Sequence, residues 1–167
     1  RQIDINLGCP FPMIAGKHKG AGMLLYPAQV AEVLAPIAEY PEIQFSLKMR
    51  LGWGNASECM VLVELLNAIR LSRIALHART GKQQYKGHPD LEAFQGFYEL
   101  CQHPLYYNGG IESLSDIRQI LIRFPLLKGV FIGRGLLSSP LLAKEFKGNE
   151  TFLPEQRMSI YFAFHEE

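Results

Sequence analysis

Five short runs in this 167-residue chain place reactive or anion-binding side chains beside glycine or proline. In the first, Cys9 stands between Gly8 and Pro10, a frame that fixes the direction of a thiol and suits it to general acid or nucleophilic chemistry. In the second, Lys48 and Arg50 follow the apolar stretch Phe45-Ser46-Leu47, where a lysine needs an anion or an electron-rich ring as its partner. His77 and Arg79-Thr80 form the third. Two residues apart on a strand, His77 and Arg79 project to one side, so the pair fits an anion contact, although a histidine in such a place is often hydrogen-bonded and inert. The last two runs, Asn108-Gly109-Gly110 and Gly133-Arg134-Gly135, each precede a helical pattern. Glycine lets backbone N–H groups approach a phosphate closely, and Arg134 can fork two hydrogen bonds onto one.

Each run needs a rigid element to position it. Candidate strands cover Ile3–Asn6, Gln44–Met49, Arg73–His77, Leu105–Tyr107 and Gly129–Ile132. Helical patterns lie between and after them, at Pro27–Glu39, Ser57–Arg70, Asp90–Cys101, Ser113–Arg123 and Ser138–Lys147. Pro27 suits a first helical turn, Asp90 and Ser113 suit N-caps, and Ser113 with Asp116 resembles a capping box. Strand starts recur at the spacing of βα units, roughly 30 residues. Five such units fit either a doubly wound sheet or part of a (β/α)8 barrel, and both fold types build active sites at the C-terminal strand ends. The two consecutive glycine runs favour the barrel, whose last two strands often carry a phosphate site.

The chain has 17 basic and 16 acidic residues and is 48% hydrophobic, an ordinary globular balance that excludes a disordered chain. Its basic residues are not spread evenly. Loops on the presumed active face hold Lys17, Lys19, Arg50, Arg79, Lys82, Lys86 and Arg134 against one acid, Glu112. Such a face concentrates polyanions. Cys9, Cys59 and Cys101 form neither a metal pattern nor a disulfide framework, which fits a reducing cytoplasm, and Cys59 and Cys101 read as small buried hydrophobes. No apolar run approaches the roughly 20 residues of a membrane span. The chain opens on a strand pattern without Met and stops in a helical one, as an excised piece of a longer protein would.

The runs together resemble the tRNA-dihydrouridine synthases. That family's Asn-x-Gly-Cys-Pro matches Asn6 to Pro10, its Lys and Gly-Ala segment resembles Lys19 to Leu25, and its Lys-x-Arg-x-Gly matches Lys48 to Gly52. His-x-Arg-Thr matches His77 to Thr80, Gln84-Tyr85-Lys86-Gly87 resembles the continuation, and the two glycine runs match the family's Asn-Gly-Gly and Gly-Arg-Gly. The order and spacing agree over nearly the whole chain.

The resemblance implies a partial FMN-binding (β/α)8 (TIM) barrel over residues 1–148, with about five C-terminal βα units and the N-terminal strands missing. Residues 149–167 would be a linker and the start of a helical domain. By the same resemblance, Lys48 and His77 contact the flavin ring, and Asn108, Gly109, Gly110, Gly133 and Arg134 hold the phosphate region. NADPH reduces the flavin, hydride passes to C6 of a tRNA uridine, and Cys9 gives a proton to C5. The uridine must leave its stack. Lys17, Lys19, Lys82 and Lys86 would meet tRNA phosphates, with Asn6, Arg50 and Arg79 nearer the base. A truncated barrel is expected to bind FMN poorly, to be inactive alone and to expose a sheet edge that invites self-association. Two other readings stand beside this one: an FMN-barrel dehydrogenase acting on free pyrimidines, and a flavin-free RNA-binding fragment.

Overall fold

A computed structural model of the chain describes residues 1–148 and 152–166. Residues 149–151, the centre of the expected linker, and Glu167 lie outside the described residues, and so does the expected domain boundary at 148/149. Five parallel strands form one sheet: β1 (Gln2–Leu7), β2 (Gln44–Gly52), β3 (Arg73–Thr80), β4 (Leu105–Asn108) and β5 (Gly129–Phe131). Their spatial order is β1-β2-β3-β4-β5, the same as their order in the chain. A doubly wound sheet would reverse direction at a switch point and carry helices on both faces. This sheet does neither.

The two faces differ because strand side chains alternate. One face presents Phe45, Leu47, Met49, Ile74, Leu76, Leu105 and Tyr107, all buried against helices. The other carries Asn6, Lys48, Arg50, His77, Arg79 and Asn108, which line a cavity. A strand with an apolar outer row and a polar inner row is the pattern of a barrel wall near its mouth. The chain is therefore α/β, a five-unit portion of a (β/α)8 barrel, with the outer edges of β1 and β5 unpaired among the described residues.

The connecting segments are α1 (Pro12–Ala15), α2 (Pro27–Leu34), α3 (Glu58–Asn67), α4 (Leu91–Leu100), α5 (Leu114–Arg123), α6 (Arg134–Ser138), α7 (Leu142–Gly148) and α8 (Pro154–Glu166). Pro27 opens α2 as expected, Asp90 accepts from the Ala93 N–H to cap α4, and Ser113 with Asp116 forms the expected capping box on α5. Phe94 of α4 is fully buried, edge-on to Tyr107 of β4 and to Phe124 beyond α5, so it joins helix layer to sheet.

Several expectations need correction. The helix expected over Pro27–Glu39 becomes 3-10 from Ala35, next to Pro36. The one expected over Ser138–Lys147 is two helices, α6 and α7, because Pro140 disfavours helical backbone at Ser139. At the start of α3 the Glu58 carboxylate folds back to accept from the N–H groups of Trp53, Gly54 and Asn55. Most relevant to function, β2 and β3 run on to Gly52 and Thr80, so Arg50 and Arg79 are buried strand residues and not loop residues.

Replacing Phe94 by Ala should lower unfolding stability by about 3–5 kcal/mol through lost burial and a residual cavity. A fall in the urea midpoint of the purified chain measures this, and an unchanged midpoint would contradict the packing described.

Candidate active site

A cavity of about 390 Å³ opens at the C-terminal ends of the five strands. Every strand contributes. Asn6, Gly8 and Cys9 come from the end of β1, Lys48 and Arg50 from β2, and His77 and Arg79 from β3; Asn108 ends β4 and Gly109 and Gly110 follow it, while Gly133 and Arg134 follow β5. In-register pairing sets them level: Asn6 lies beside Lys48, and Arg50 beside His77, which lies beside Asn108. Past Arg50 the β2–β3 register shifts by one residue, the kind of irregularity that re-aims a side chain near a site.

Arg50 organises the mouth. Its guanidinium is almost completely buried and donates to the Gly8 carbonyl at 3.0 Å, the Thr80 carbonyl at 2.9 Å and the Gln84 carbonyl at 2.7 Å. Its carbon CZ also lies 5.5 Å from the centre of the Tyr85 ring. The loop after β1 is thereby tied to the loop after β3. The Cys9 carbonyl accepts from Ala21 at 2.9 Å, and a Cβ on Gly20, whose φ is +55°, would sit 2.7 Å from that same carbonyl oxygen. Cys9, half-buried, is thus held by its neighbours on both sides of the chain. Asn6 keeps the approach tight by accepting from the Gly8 N–H at 2.9 Å.

The charge balance of the cavity is lopsided. Lys48, Arg50, Arg79 and Arg134 line it with one carboxylate, Glu112. Burial, and then Arg50, pull the Lys48 ammonium below its usual value. Burial, and then the surrounding cations Arg50, Lys48, Arg79 and Arg134, push His77 down to about 3, so it is a neutral imidazole at physiological pH. Arg79 Nη1 lies 3.2 Å from His77 Nε2. A guanidinium can only donate, so Nε2 accepts and the proton of the neutral ring resides on Nδ1. Arg79 Nη2 donates to the Gly87 carbonyl at 2.9 Å, but its buried Nε has no hydrogen-bond partner among the described residues.

The turn after β4 has left-handed backbone at Gly109 (φ +136°) and Gly110 (φ +62°), and a Cβ there would meet His77 and Pro89. Only glycine holds that turn without strain. Excess cation, an orphaned guanidinium nitrogen and bare glycine backbone together suit an anionic, phosphate-bearing ligand. The volume matches a small-molecule site.

Eleven of the expected site residues meet in this one cavity: Cys9, Asn6, Lys48, Arg50, His77, Arg79, Asn108, Gly109, Gly110, Gly133 and Arg134. Lys17, Lys19, Lys82 and Lys86 do not line it; they are exposed on the surrounding loops. Arg50 faces the cavity, yet most of its donors are committed to carbonyls of the chain, so it acts as a brace. Tyr85 was missed by sequence reasoning. It lines the cavity with its ring 4.9 Å from Arg134 CZ, and the available signal was an aromatic inside the polar loop Gly81–Gly87.

This architecture, a parallel barrel wall with a basic, glycine-rich mouth at its strand ends, defines the class of TIM-barrel proteins. Comparison with known proteins narrows it. The sequence profile described as dihydrouridine synthase matches residues 1–165, and the chain belongs to that family. It is 32% identical over 139 residues to a probable tRNA-dihydrouridine synthase of Rhizobium leguminosarum bv. phaseoli, covering 83% of this chain and 44% of that protein. It is 27% identical over 157 residues to tRNA-dihydrouridine synthase B of Vibrio vulnificus, covering 92% and 48%. A tRNA-dihydrouridine(16) synthase of Haemophilus ducreyi is 31% identical over 150 residues, covering 88% and 46%. The chain spans about half the length of these relatives.

Two outcomes follow from this geometry. Between pH 6.5 and 3 the unfolded chain protonates His77 while the folded chain does not, so stability should fall as pH drops through 6.5. His77→Gln should flatten that part of the thermal melting profile, and identical profiles would refute the buried neutral imidazole. Arg50→Lys keeps the charge but cannot reach three carbonyls. It should destabilise the fold by about 1–3 kcal/mol through unsatisfied buried acceptors, read as a lower urea midpoint.

Proposed function

We infer that this chain is the catalytic portion of a flavin-dependent oxidoreductase that reduces uridine to 5,6-dihydrouridine in tRNA. The observation that carries the reading is the convergence of Cys9 with Lys48, His77, the Gly109-Gly110 turn and Arg134 in one basic cavity. FMN fits that donor set, and when bound it supplies the hydride, itself replenished by NADPH. Asn108, Gly109, Gly110, Gly133 and Arg134 would hold its phosphate region. Lys48 and neutral His77 would meet its ring, the cation balancing negative charge and the Nδ1–H of His77 serving as its remaining donor.

Cys9 is the general acid. Its thiol gives the proton to C5 of the uracil as C6 is reduced, and it needs a fixed direction to do so. Arg50 through the Gly8 carbonyl, and Ala21 through the Cys9 carbonyl, supply that rigidity. Tyr85, whose ring lies against Arg134, would form an aromatic wall beside the target base. Outside the cavity, exposed Lys17, Lys19, Lys82 and Lys86 would meet the phosphates of a polyanion. A free pyrimidine needs no such rim, which favours tRNA over a small substrate. No helix of the described residues is long and apolar enough to cross a membrane, and we place the reaction with tRNA in the cytoplasm.

In the full-length protein, Cys9→Ala should abolish dihydrouridine in cellular tRNA while the purified variant keeps its flavin absorbance. Unchanged dihydrouridine content would sink the assignment. Reoxidation of the reduced flavin by free uracil or orotate, and not by tRNA, would instead select the pyrimidine dehydrogenase reading.

A further inference from the structure

The segment that follows Cys9 carries a feature that the reduction of uridine does not use. Phe11 lines the cavity beside Cys9, yet its side chain is 64% exposed, and Met13 behind it is 78% exposed. The tip is not loosely built. Pro10 and Pro12 flank Phe11 and restrict its backbone, and the Phe11 carbonyl accepts from Ile14 and Ala15, each at 2.9 Å, closing α1 beneath it. A rigid turn thus presents an aromatic ring to solvent at the lip of a catalytic cavity. Covering that ring would recover the free energy of its apolar surface.

Charge indicates what would cover it. The sequence has no acidic residue from Ile5 to Ala31, and this stretch holds exposed Lys17, His18 and Lys19. An apolar protein partner would not select such surroundings, whereas a nucleic acid supplies both a phosphate chain for the lysines and a flat base for the ring. Aromatic platforms among cations bind unpaired bases in this way.

We propose that Phe11 stacks against the base step that opens when the target uridine leaves its stack, holding the gap apart while the uridine occupies the cavity. The residue lies one position beyond the Pro10 that frames the thiol, so the opened stack and the proton donor are set at a fixed separation. Extrusion costs unstacking energy, and an inserted apolar ring offsets part of it. This rests on the tRNA reading above and deepens it by naming how the chain meets the RNA beside the reacting base.

The test uses the full-length protein and two RNAs. One is a folded transcript of a substrate tRNA with 2-aminopurine next to the target uridine; the other is a short unstructured oligonucleotide containing uridine. Phe11→Ala should slow single-turnover dihydrouridine formation in the folded tRNA about tenfold or more, with a much smaller loss on the oligonucleotide, whose bases are already unstacked. The rise in 2-aminopurine fluorescence on binding should shrink in the same variant, and Phe11→Trp should restore both signals. Equal losses on both RNAs, or no loss on folded tRNA, would overturn the inference while leaving the reaction assigned. A wild-type protein that forms no dihydrouridine on either RNA would overturn the functional reading itself.

Discussion

A guanidinium buried among backbone carbonyls must find acceptors for its donors, and at Arg50 that requirement shapes the whole mouth of this barrel wall. Its bonds to Gly8, Thr80 and Gln84 join the ends of three strands that are far apart in the chain. The loop bearing Cys9 and the loop bearing Tyr85 are positioned by the same side chain, so the thiol and the aromatic wall of the cavity share one frame. Arg50 is held below its ordinary value mainly by burial. It remains a cation in practice, because an arginine is never deprotonated under protein conditions.

The sheet supplies the second constraint. With apolar side chains on one face packed against helices, the alternation of β-structure leaves the other row to face inward. Basic residues on that row cannot diverge, and Lys48, Arg50 and Arg79, joined by Arg134 from the start of α6, gather around a single imidazole and a single carboxylate. Burial first, and these cations second, keep the histidine neutral, and Arg79 sets its tautomer. The same gathering leaves a site whose excess positive charge is unfavourable without an anion. The left-handed glycines of the β4 turn leave room for one.

Membership of the dihydrouridine synthase family agrees with this chemistry, while the chain covers about half the length of its relatives. The described part is nonetheless internally consistent. Its core runs unbroken from Leu7 to Leu142, and the basic cavity is assembled from its own five units. At the C-terminal end, Arg157 of α8 lies 2.5 Å from Oε1 of the buried Glu145 carboxylate of α7, an oxygen with no aligned hydrogen bond among the described residues. A buried carboxylate facing one arginine is a specific docking point for that helix.

Much of this could be read from the sequence because the determinants are local. Strand alternation, the Asp90 and Ser113 caps, the glycine turns and the Gly8-Cys9-Pro10 frame each act within a few residues, and so they appear as short patterns. The split of the last expected helix at Pro140 was also local, and Pro140 announces it. The full lengths of β2 and β3 were not visible, because Arg50 and Arg79 look like loop residues until the fold brings carbonyls to them, those of Gly8 and Thr80 to Arg50 and that of Gly87 to Arg79. Nor was the brace that holds Cys9, or the place of Tyr85 between Arg50 and Arg134, since these join residues more than 30 positions apart. The sequence by itself determined which side chains are present and which face of each strand they occupy. Only the tertiary structure decided which of them meet, because parallel pairing in sequential order brings the five strand ends around one cavity.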